Sequence, residues 1–143
     1  MLLLFLLILP LNCLWFERNT PTEPPPGTHR EQLIWLDQDI TIGTSSNKAY
    51  FHEVLYHDTV FGEITLTEGS FIQFFFVSDD YNYREWKHGG GVINFIYSRS
   101  YSYGGTFHFW MRETDTLVFC VQNSELEGPI TIHAYITITR WVK

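Results

Sequence analysis

Residues Ile130–Thr139 read ITIHAYITIT, a strict alternation of apolar and polar side chains. Successive side chains of a β-strand point to opposite faces of its sheet. The even-numbered residues from Ile130 to Ile138 therefore face a core, and the odd-numbered residues from Thr131 to Thr139 face outward. The β-branched threonines favour the same conformation. This stretch predicts a half-buried strand and sets the fold class for the rest of the chain.

Other segments repeat the strand signal. Thr59–Thr67 alternates in the same way, whereas Phe71–Val77 (FIQFFFV) and Leu117–Val121 (LVFCV) are nearly continuous apolar runs. Short runs of that kind predict central strands that are covered on both faces. Ser78–His88 has room for one short helical turn. The remaining predicted strands are Asp39–Gly43, Lys48–His57, Val92–Tyr97 and Thr106–Arg112.

The spacing of these strands defines the fold class. Segments rich in glycine, asparagine or serine separate seven or eight short strands, which predicts an all-β domain, an antiparallel β-sandwich, over residues 32–143. Cys120 lies inside an apolar run and Cys13 lies far upstream in another. The sequence therefore predicts a buried Cys120 thiol and no disulfide within the domain.

The chain begins with an N-terminal hydrophobic segment, LLLFLLILPLNCLWF, over residues 2–16. A bilayer span needs ~20 apolar residues, so residues 1–16 are predicted to be a signal peptide or an N-terminal membrane anchor. Lipidation of Cys13 is a further alternative. Residues 17–31 contain four of the six prolines and are predicted to form an extended linker. The expected location is extracytoplasmic, either membrane-anchored or secreted.

Charge and motif content exclude several functions. The chain has 9 Lys and Arg against 16 Asp and Glu, a net charge of −7, which argues against a nucleic-acid partner. His52 and His57 are separated by an odd number of residues in a predicted strand, so they face opposite sides and do not suggest a metal site. Asp79 and Asp80 are expected to cap a turn rather than to hold Ca²⁺. We therefore expect no catalytic residues, no metal and no cofactor.

Val60–Gly89 contains a strand opening with glycine, a Glu-Gly turn, an aromatic central strand and an Asn-Tyr-x-x-Trp-x-x-Gly pattern. The residues of this motif are Gly62, Gly69, Asn82, Tyr83, Trp86 and Gly89. From about Asp39 to Lys143 the chain resembles the GOLD (Golgi dynamics) β-sandwich domain, in the form found in small archaeal and bacterial surface proteins. The resemblance implies a β-sandwich and a non-enzymatic interaction role outside the cytoplasm. It does not extend to the intradomain cysteine pair or to the C-terminal membrane helix of the eukaryotic relatives.

Tyr97–Gly105 (YSRSYSYGG) is the strongest candidate for a binding surface. Tyrosine provides a large contact area at a small entropy loss, and serine and glycine adapt to a partner. In an extended chain four of these residues line one face, and three from the preceding segment extend the surface if they lie beside it. The alternative is a hairpin whose aromatic rings pair across strands for stability. The candidate ligand-binding residues are Tyr97, Arg99, Tyr101, Tyr103, Tyr81, Tyr83 and Trp86.

These observations predict a non-enzymatic binding module, tethered to a membrane or secreted, that recognises an unknown protein or glycan. One alternative is a structural cell-surface subunit that self-associates through sheet edges. Another is a carbohydrate-active or metal-dependent hydrolase, although no motif selects its catalytic residues.

Overall fold

The computed structural model describes residues 27–124 and 128–143, which form eight β-strands and one α-helix. All strand pairs are antiparallel, and the strands form two four-stranded sheets. The predicted antiparallel β-sandwich is confirmed. The elements are β1 (His29–Ile42), β2 (Asn47–Val54), β3 (Thr59–Glu68), β4 (Ile72–Asp79), α1 (Asp80–Lys87), β5 (Tyr97–Ser102), β6 (Gly104–Trp110), β7 (Asp115–Gln122) and β8 (Ile130–Val142).

The chain crosses repeatedly between the two sheets. Sheet 1 has the strand order β1-β8-β3-β6, and sheet 2 has the order β2-β7-β4-β5. The core lies between them and draws on both. The inward residues of β8, from Ile130 to Ile138, are at most 1% exposed, as the alternation predicts. Facing them from sheet 2 are Phe75 and Phe119, which belong to the same buried cluster.

Strands β4 and β7 lie in the middle of sheet 2, and their outer faces are also covered, as their apolar sequences predict. Helix α1 packs on this side and begins at an Asp79 cap, whose carboxylate accepts from the Asn82 backbone N–H at 2.7 Å. The predicted capping turn and short helix are both confirmed. Under the helix Phe76, Cys120 and Tyr83 form a second buried cluster.

The predicted strand Val92–Tyr97 is wrong, because residues 92–96 form a coil and β5 begins at Tyr97. The coil is held by individual hydrogen bonds rather than by the repeated hydrogen bonds of a paired strand. The Asn94 N–H donates to Asn82 Oδ1 at 2.9 Å. The apolar side chains of this coil cover sheet 2 instead of forming a strand within it. The ring of Phe95 lies 4.4 Å from that of Phe76 and completes the cover over sheet 2.

Strand β1 begins earlier than the sequence indicates. It starts at His29 and pairs along its length with β8, so the predicted strand Asp39–Gly43 is only its last part. Residues 29–31, which we assigned to the linker, therefore belong to the sheet. The Arg30 guanidinium lies 4.6 Å from the centre of the Trp141 ring, a cation–π contact that secures this end.

The predicted leader (residues 1–16), Cys13 and most of the predicted linker lie outside the described residues, and these assignments stay predictions. Within residues 27–124 and 128–143, no helix is both long enough and apolar enough to cross a bilayer.

A buried ion pair joins the turn after β2 to the end of β8. Asp58 is 1% exposed, and its carboxylate accepts from Arg140 Nη2 at 2.6 Å and from the Leu55 N–H at 2.8 Å. The hydrogen bond to Asp58 raises the pKa of Arg140 above its ordinary value. A buried pair that loses one partner leaves an uncompensated charge, so each residue depends on the other.

Candidate binding surface

The chain passes from sheet 2 to sheet 1 at a sharp bend after β5, and this bend exposes two of the predicted tyrosines. Only Tyr103 separates the end of β5 from the start of β6 at Gly104. Tyr101 is 72% exposed and Tyr103 is 77% exposed. The ring of Phe71, just before β4, lies 5.7 Å from that of Tyr101. We call Phe71 and residues 101–104 the β5–β6 corner.

The backbone of the corner is held firmly at Gly104. This residue has φ +136°, and a Cβ added there would lie 1.9 Å from the Ile64 carbonyl oxygen, so only glycine fits. The Leu66 N–H also donates to the Tyr103 carbonyl at 2.8 Å. Because β3 is hydrogen-bonded to the corner through Leu66, the backbone that carries the two tyrosines is fixed rather than a loose loop.

Tyr101 adopts a left-handed backbone conformation, with φ +48°. This region is unfavourable for a residue with a bulky side chain, and such residues concentrate at functional sites. A strained residue whose ring is also largely exposed gains little from packing. The combination makes Tyr101 the strongest single candidate at the corner.

Tyr97 and Arg99 have different environments from the corner tyrosines. The Tyr97 ring packs 5.9 Å from Phe75 and 5.2 Å from Phe107, against the core, and its hydroxyl accepts from Arg99 Nε at 3.1 Å. The expectation that Tyr97, Arg99, Tyr101 and Tyr103 line one face does not hold. The left-handed Tyr101 interrupts the alternation, and cross-strand packing for stability applies to Tyr97.

Tyr81, Tyr83 and Trp86 lie on α1, at the other end of sheet 2. The corner adjoins the start of β4, where Ile72 pairs with Ser102, whereas α1 follows the end of β4 at Asp79. Seven residues of extended strand separate the two by roughly 23 Å. The condition for extending the tyrosine surface, that this segment lies beside it, is therefore not met. Tyr83 and Trp86 pack under the helix, and Tyr81 is exposed by itself there.

A polar pocket of about 400 Å³ lies beside the corner, at the same end of sheet 2. Gln73 Oε1 in its wall is buried and has no hydrogen-bond partner, and the same is true of Ser102 Oγ on the adjoining strand. Sequence analysis missed this pocket, although Gln73 is the one polar residue in the run FIQFFFV. The lining residues are Ser45, Ser46, Asn47, Gln73, Gln122, Asn123 and Ser124.

A second cleft, of about 390 Å³, opens at the α1 end of the sandwich. Its wall includes Met111 and Leu117, with Asp79, Glu113 and Asp115 among the charged groups around it. Two of these carboxylates already have partners in the fold: Asp79 caps α1, and Asp115 accepts from the Thr116 N–H at 2.7 Å. The cleft is thus built around groups that hold local structure.

The reactive side chains of the described domain are also engaged in structure. Burial raises the pKa of the Cys120 thiol to about 12, so it stays protonated at neutral pH. His133 contacts Asp39 at 2.8 Å and Asp37 at 3.2 Å on the outer face of sheet 1, and the hydrogen bond to Asp39 raises its pKa. Within residues 27–124 and 128–143, no group of three or more His, Cys, Asp or Glu is placed to hold a metal ion.

Comparison with known proteins supports the fold. Neither protein-family models nor curated protein sequences match the chain. Among solved structures, the chain is similar to the crystal structure of PliG from Aeromonas hydrophila, a periplasmic inhibitor of g-type lysozyme. The TM-score is 0.50 at 13% sequence identity, and the match covers 81% of this chain and 91% of that one. The likeness is one of fold, and the GOLD resemblance extends only to the β-sandwich that the structure has.

The residues that carried the GOLD resemblance serve the fold. A Cβ on Gly62 would lie 2.0 Å from the Phe107 ring, and Gly69 and Gly89 have positive φ. The Asn82 backbone N–H donates to the Asp79 cap, and its side-chain oxygen holds the coil at Asn94. These residues explain why a short motif indicated a β-sandwich without indicating a function.

Proposed function

We propose that this chain is a non-enzymatic binding module that works outside the cytoplasm and recognises another protein through the β5–β6 corner. The observation that carries the proposal is the pair of exposed rings, Tyr101 and Tyr103, on backbone that Gly104 and β3 hold in place. Large aromatic side chains dominate the energetics of protein interfaces. A rigid presentation lowers the entropy lost on binding.

The fold supports a protein partner. PliG, which has a similar fold, is an inhibitor of g-type lysozyme, and a g-type lysozyme is therefore the first partner to test. The net charge of −7 favours a basic partner, since complementary charge speeds association. The apolar segment at residues 2–16 supports a location outside the cytoplasm, as a secreted or anchored protein.

The test is isothermal titration calorimetry of the domain with a purified g-type lysozyme, together with an assay of lysozyme activity. We expect binding that weakens by roughly 30-fold or more in the Tyr101→Ala, Tyr103→Ala double variant, because interface residues of this kind contribute about 2 kcal/mol or more. The control is Tyr56→Ala, which removes an exposed tyrosine from the β2–β3 turn.

Three results contradict the proposal in different ways. Binding that persists in the double variant removes the corner from the proposal and leaves the protein partner. The absence of binding to any g-type lysozyme removes that partner class. A measured turnover of cell-wall material by the purified domain alone overturns the non-enzymatic assignment.

Self-association is a second candidate, supported by strand β1. It is the outer strand of sheet 1, it runs for 14 residues, and its Ile34 is 62% exposed. A long edge strand with an exposed apolar side chain is a surface for pairing with another copy. Sedimentation velocity over a range of concentrations tests this candidate, and Ile34→Lys is expected to shift any oligomer to monomer. A monomer at every concentration excludes it.

A further inference from the structure

Side chains that can hydrogen-bond form a row across one end of sheet 2. Gln73 lies between the pairs Ile72–Ser102 and Phe74–Ser100, so its neighbour on β5 is Tyr101. On its other side, the pairing of Phe74 with Gln122 places Gln73 beside Asn123. The Asn123 N–H donates to the Ser46 carbonyl at 2.9 Å. The row therefore runs from the polar pocket to the exposed ring of Tyr101.

The pocket is uncharged, although the chain carries a net charge of −7. Its lining consists of serine hydroxyls and of asparagine and glutamine amides, each of which both donates and accepts hydrogen bonds. Asn123 is committed to the fold, because its Nδ2 donates to the carbonyls of Gly43 and Gly128 at 3.2 and 2.9 Å. The other amides of the lining are those of Gln73, Gln122 and Asn47.

One residue of the pocket lining, Gln73, carries a buried polar atom without a partner, and a second such atom lies on the adjoining strand. Gln73 Oε1 and Ser102 Oγ are the buried side-chain atoms of the described chain that lack a hydrogen bond, and they lie on adjoining strands at this one end. A buried polar group without a partner costs about 1–3 kcal/mol. The terminal torsion of glutamine is broad and roughly two-fold, so rotation of the Gln73 amide presents either of its atoms to the pocket.

We propose that this pocket binds a neutral oligosaccharide, with the Gln73, Gln122 and Asn47 amides bonding to sugar hydroxyls and the Tyr101 ring stacked on a sugar face. A sugar combines dense, uncharged donors and acceptors with apolar ring faces, which matches uncharged amides and hydroxyls beside an exposed aromatic ring. A peptide would need apolar side-chain pockets for its specificity, and this lining is polar. The volume of about 400 Å³ is within the range of small-ligand sites.

This inference shares Tyr101 with the β5–β6 corner, but its hydrogen bonds come from the pocket amides, which the protein-partner proposal does not use. The experiment is a titration of ¹⁵N-labelled protein with two probes, cellotetraose and chitotetraose, followed through the side-chain amide signals. Glycerol is the control for non-specific effects of a polyol. We expect at least one tetrasaccharide to shift the amide signals of Gln73 and Gln122 in a saturable way, and glycerol to leave them unchanged.

The decisive variant is Gln73→Met, which keeps the side-chain length and removes the amide. We expect its affinity for the saccharide to fall about tenfold, the equivalent of one hydrogen bond to a buried group. Its thermal unfolding temperature is expected not to fall, because the lost oxygen has no partner in the protein. Gln38→Met, at an exposed position of β1, is the matched control and should bind like the unmodified protein.

Each result of the titration either supports or overturns the saccharide proposal. Saturable shifts at the pocket that Gln73→Met weakens support the proposal. Shifts that are equal in Gln73→Met, shifts confined to signals outside the pocket, or no saturable shift with either tetrasaccharide overturn it. A large fall in the unfolding temperature of Gln73→Met also contradicts it, since it would show that Gln73 serves the fold.

Discussion

Two groups of aromatic residues lie at opposite ends of sheet 2 and have opposite environments. Under α1, the rings of Tyr83, Trp86 and Phe95 pack on Phe76, where Tyr83 is buried and the other two are partly buried. At the β5–β6 corner, the rings of Tyr101 and Tyr103 stand largely exposed. The difference arises from what covers each end: a capped helix and a coil on one side, and a single-residue connection on the other. The first group stabilises the domain, and the second is available to a partner.

The largest expected effect comes from truncating a ring in the covered group. Tyr83→Ala should lower the free energy of unfolding by about 3 kcal/mol, because it opens a cavity beneath α1. Tyr103→Ala should change it by less than about 0.5 kcal/mol, since the ring is on the surface. Urea denaturation followed by fluorescence measures both. Equal losses of unfolding free energy in the two variants would show that the two groups of rings contribute alike to the fold.

The rigidity of the corner can be tested at Gly104. Gly104→Ala should destabilise the domain by about 2 kcal/mol, because the new Cβ meets the Ile64 carbonyl and the φ of +136° is strained for alanine. Gly91→Ala is the control, since a Cβ there has open space and no positive φ is required. Thermal and urea unfolding of both variants give the comparison. A neutral Gly104→Ala would indicate that the corner is a loose loop.

The burial of Cys120 beneath α1 predicts that the free energy of unfolding depends on pH. Burial raises the pKa of Cys120 to about 12, so the folded state keeps the thiol neutral while the unfolded chain ionises near pH 8.5. The contribution of Cys120 is fully present below that pH and is lost as pH rises toward 12, with a slope approaching about 1.4 kcal/mol per pH unit. Urea denaturation from pH 8 to pH 10 should show a flatter decline for Cys120→Ala. Identical slopes would mean that α1 leaves the thiol open to water.

The smallest expected effect is at Tyr101. Its left-handed backbone is better suited to glycine, so Tyr101→Gly should leave the free energy of unfolding unchanged or raise it by up to about 1 kcal/mol, despite the lost contact with Phe71. Urea denaturation measures the change, and Tyr81→Gly within α1, where glycine is unfavourable, should lower stability instead. A clear loss in Tyr101→Gly would show that its ring supports the fold.

Much of this architecture was predictable because it depends on local pattern. The alternation of Ile130–Thr139, the covered strands around Phe76 and Cys120, and the Asp79 cap all follow from neighbouring residues. The prediction for Val92–Tyr97 was wrong because it, too, relied on local pattern alone. An apolar segment that covers a sheet has the same composition as a strand within one, and its partners, Asn82 and Phe76, are distant in sequence.

The sequence by itself determined most of the strands, their buried faces and the presence of a single cysteine within the domain, because side-chain periodicity and burial are set residue by residue. Only the tertiary structure decided which aromatic rings are covered, where Asp58 meets Arg140, and that Gln73 lies between Asn123 and Tyr101. Each of these depends on the register between strands that are far apart in the chain. That register is fixed when the two sheets pack over a shared core, which no local pattern specifies.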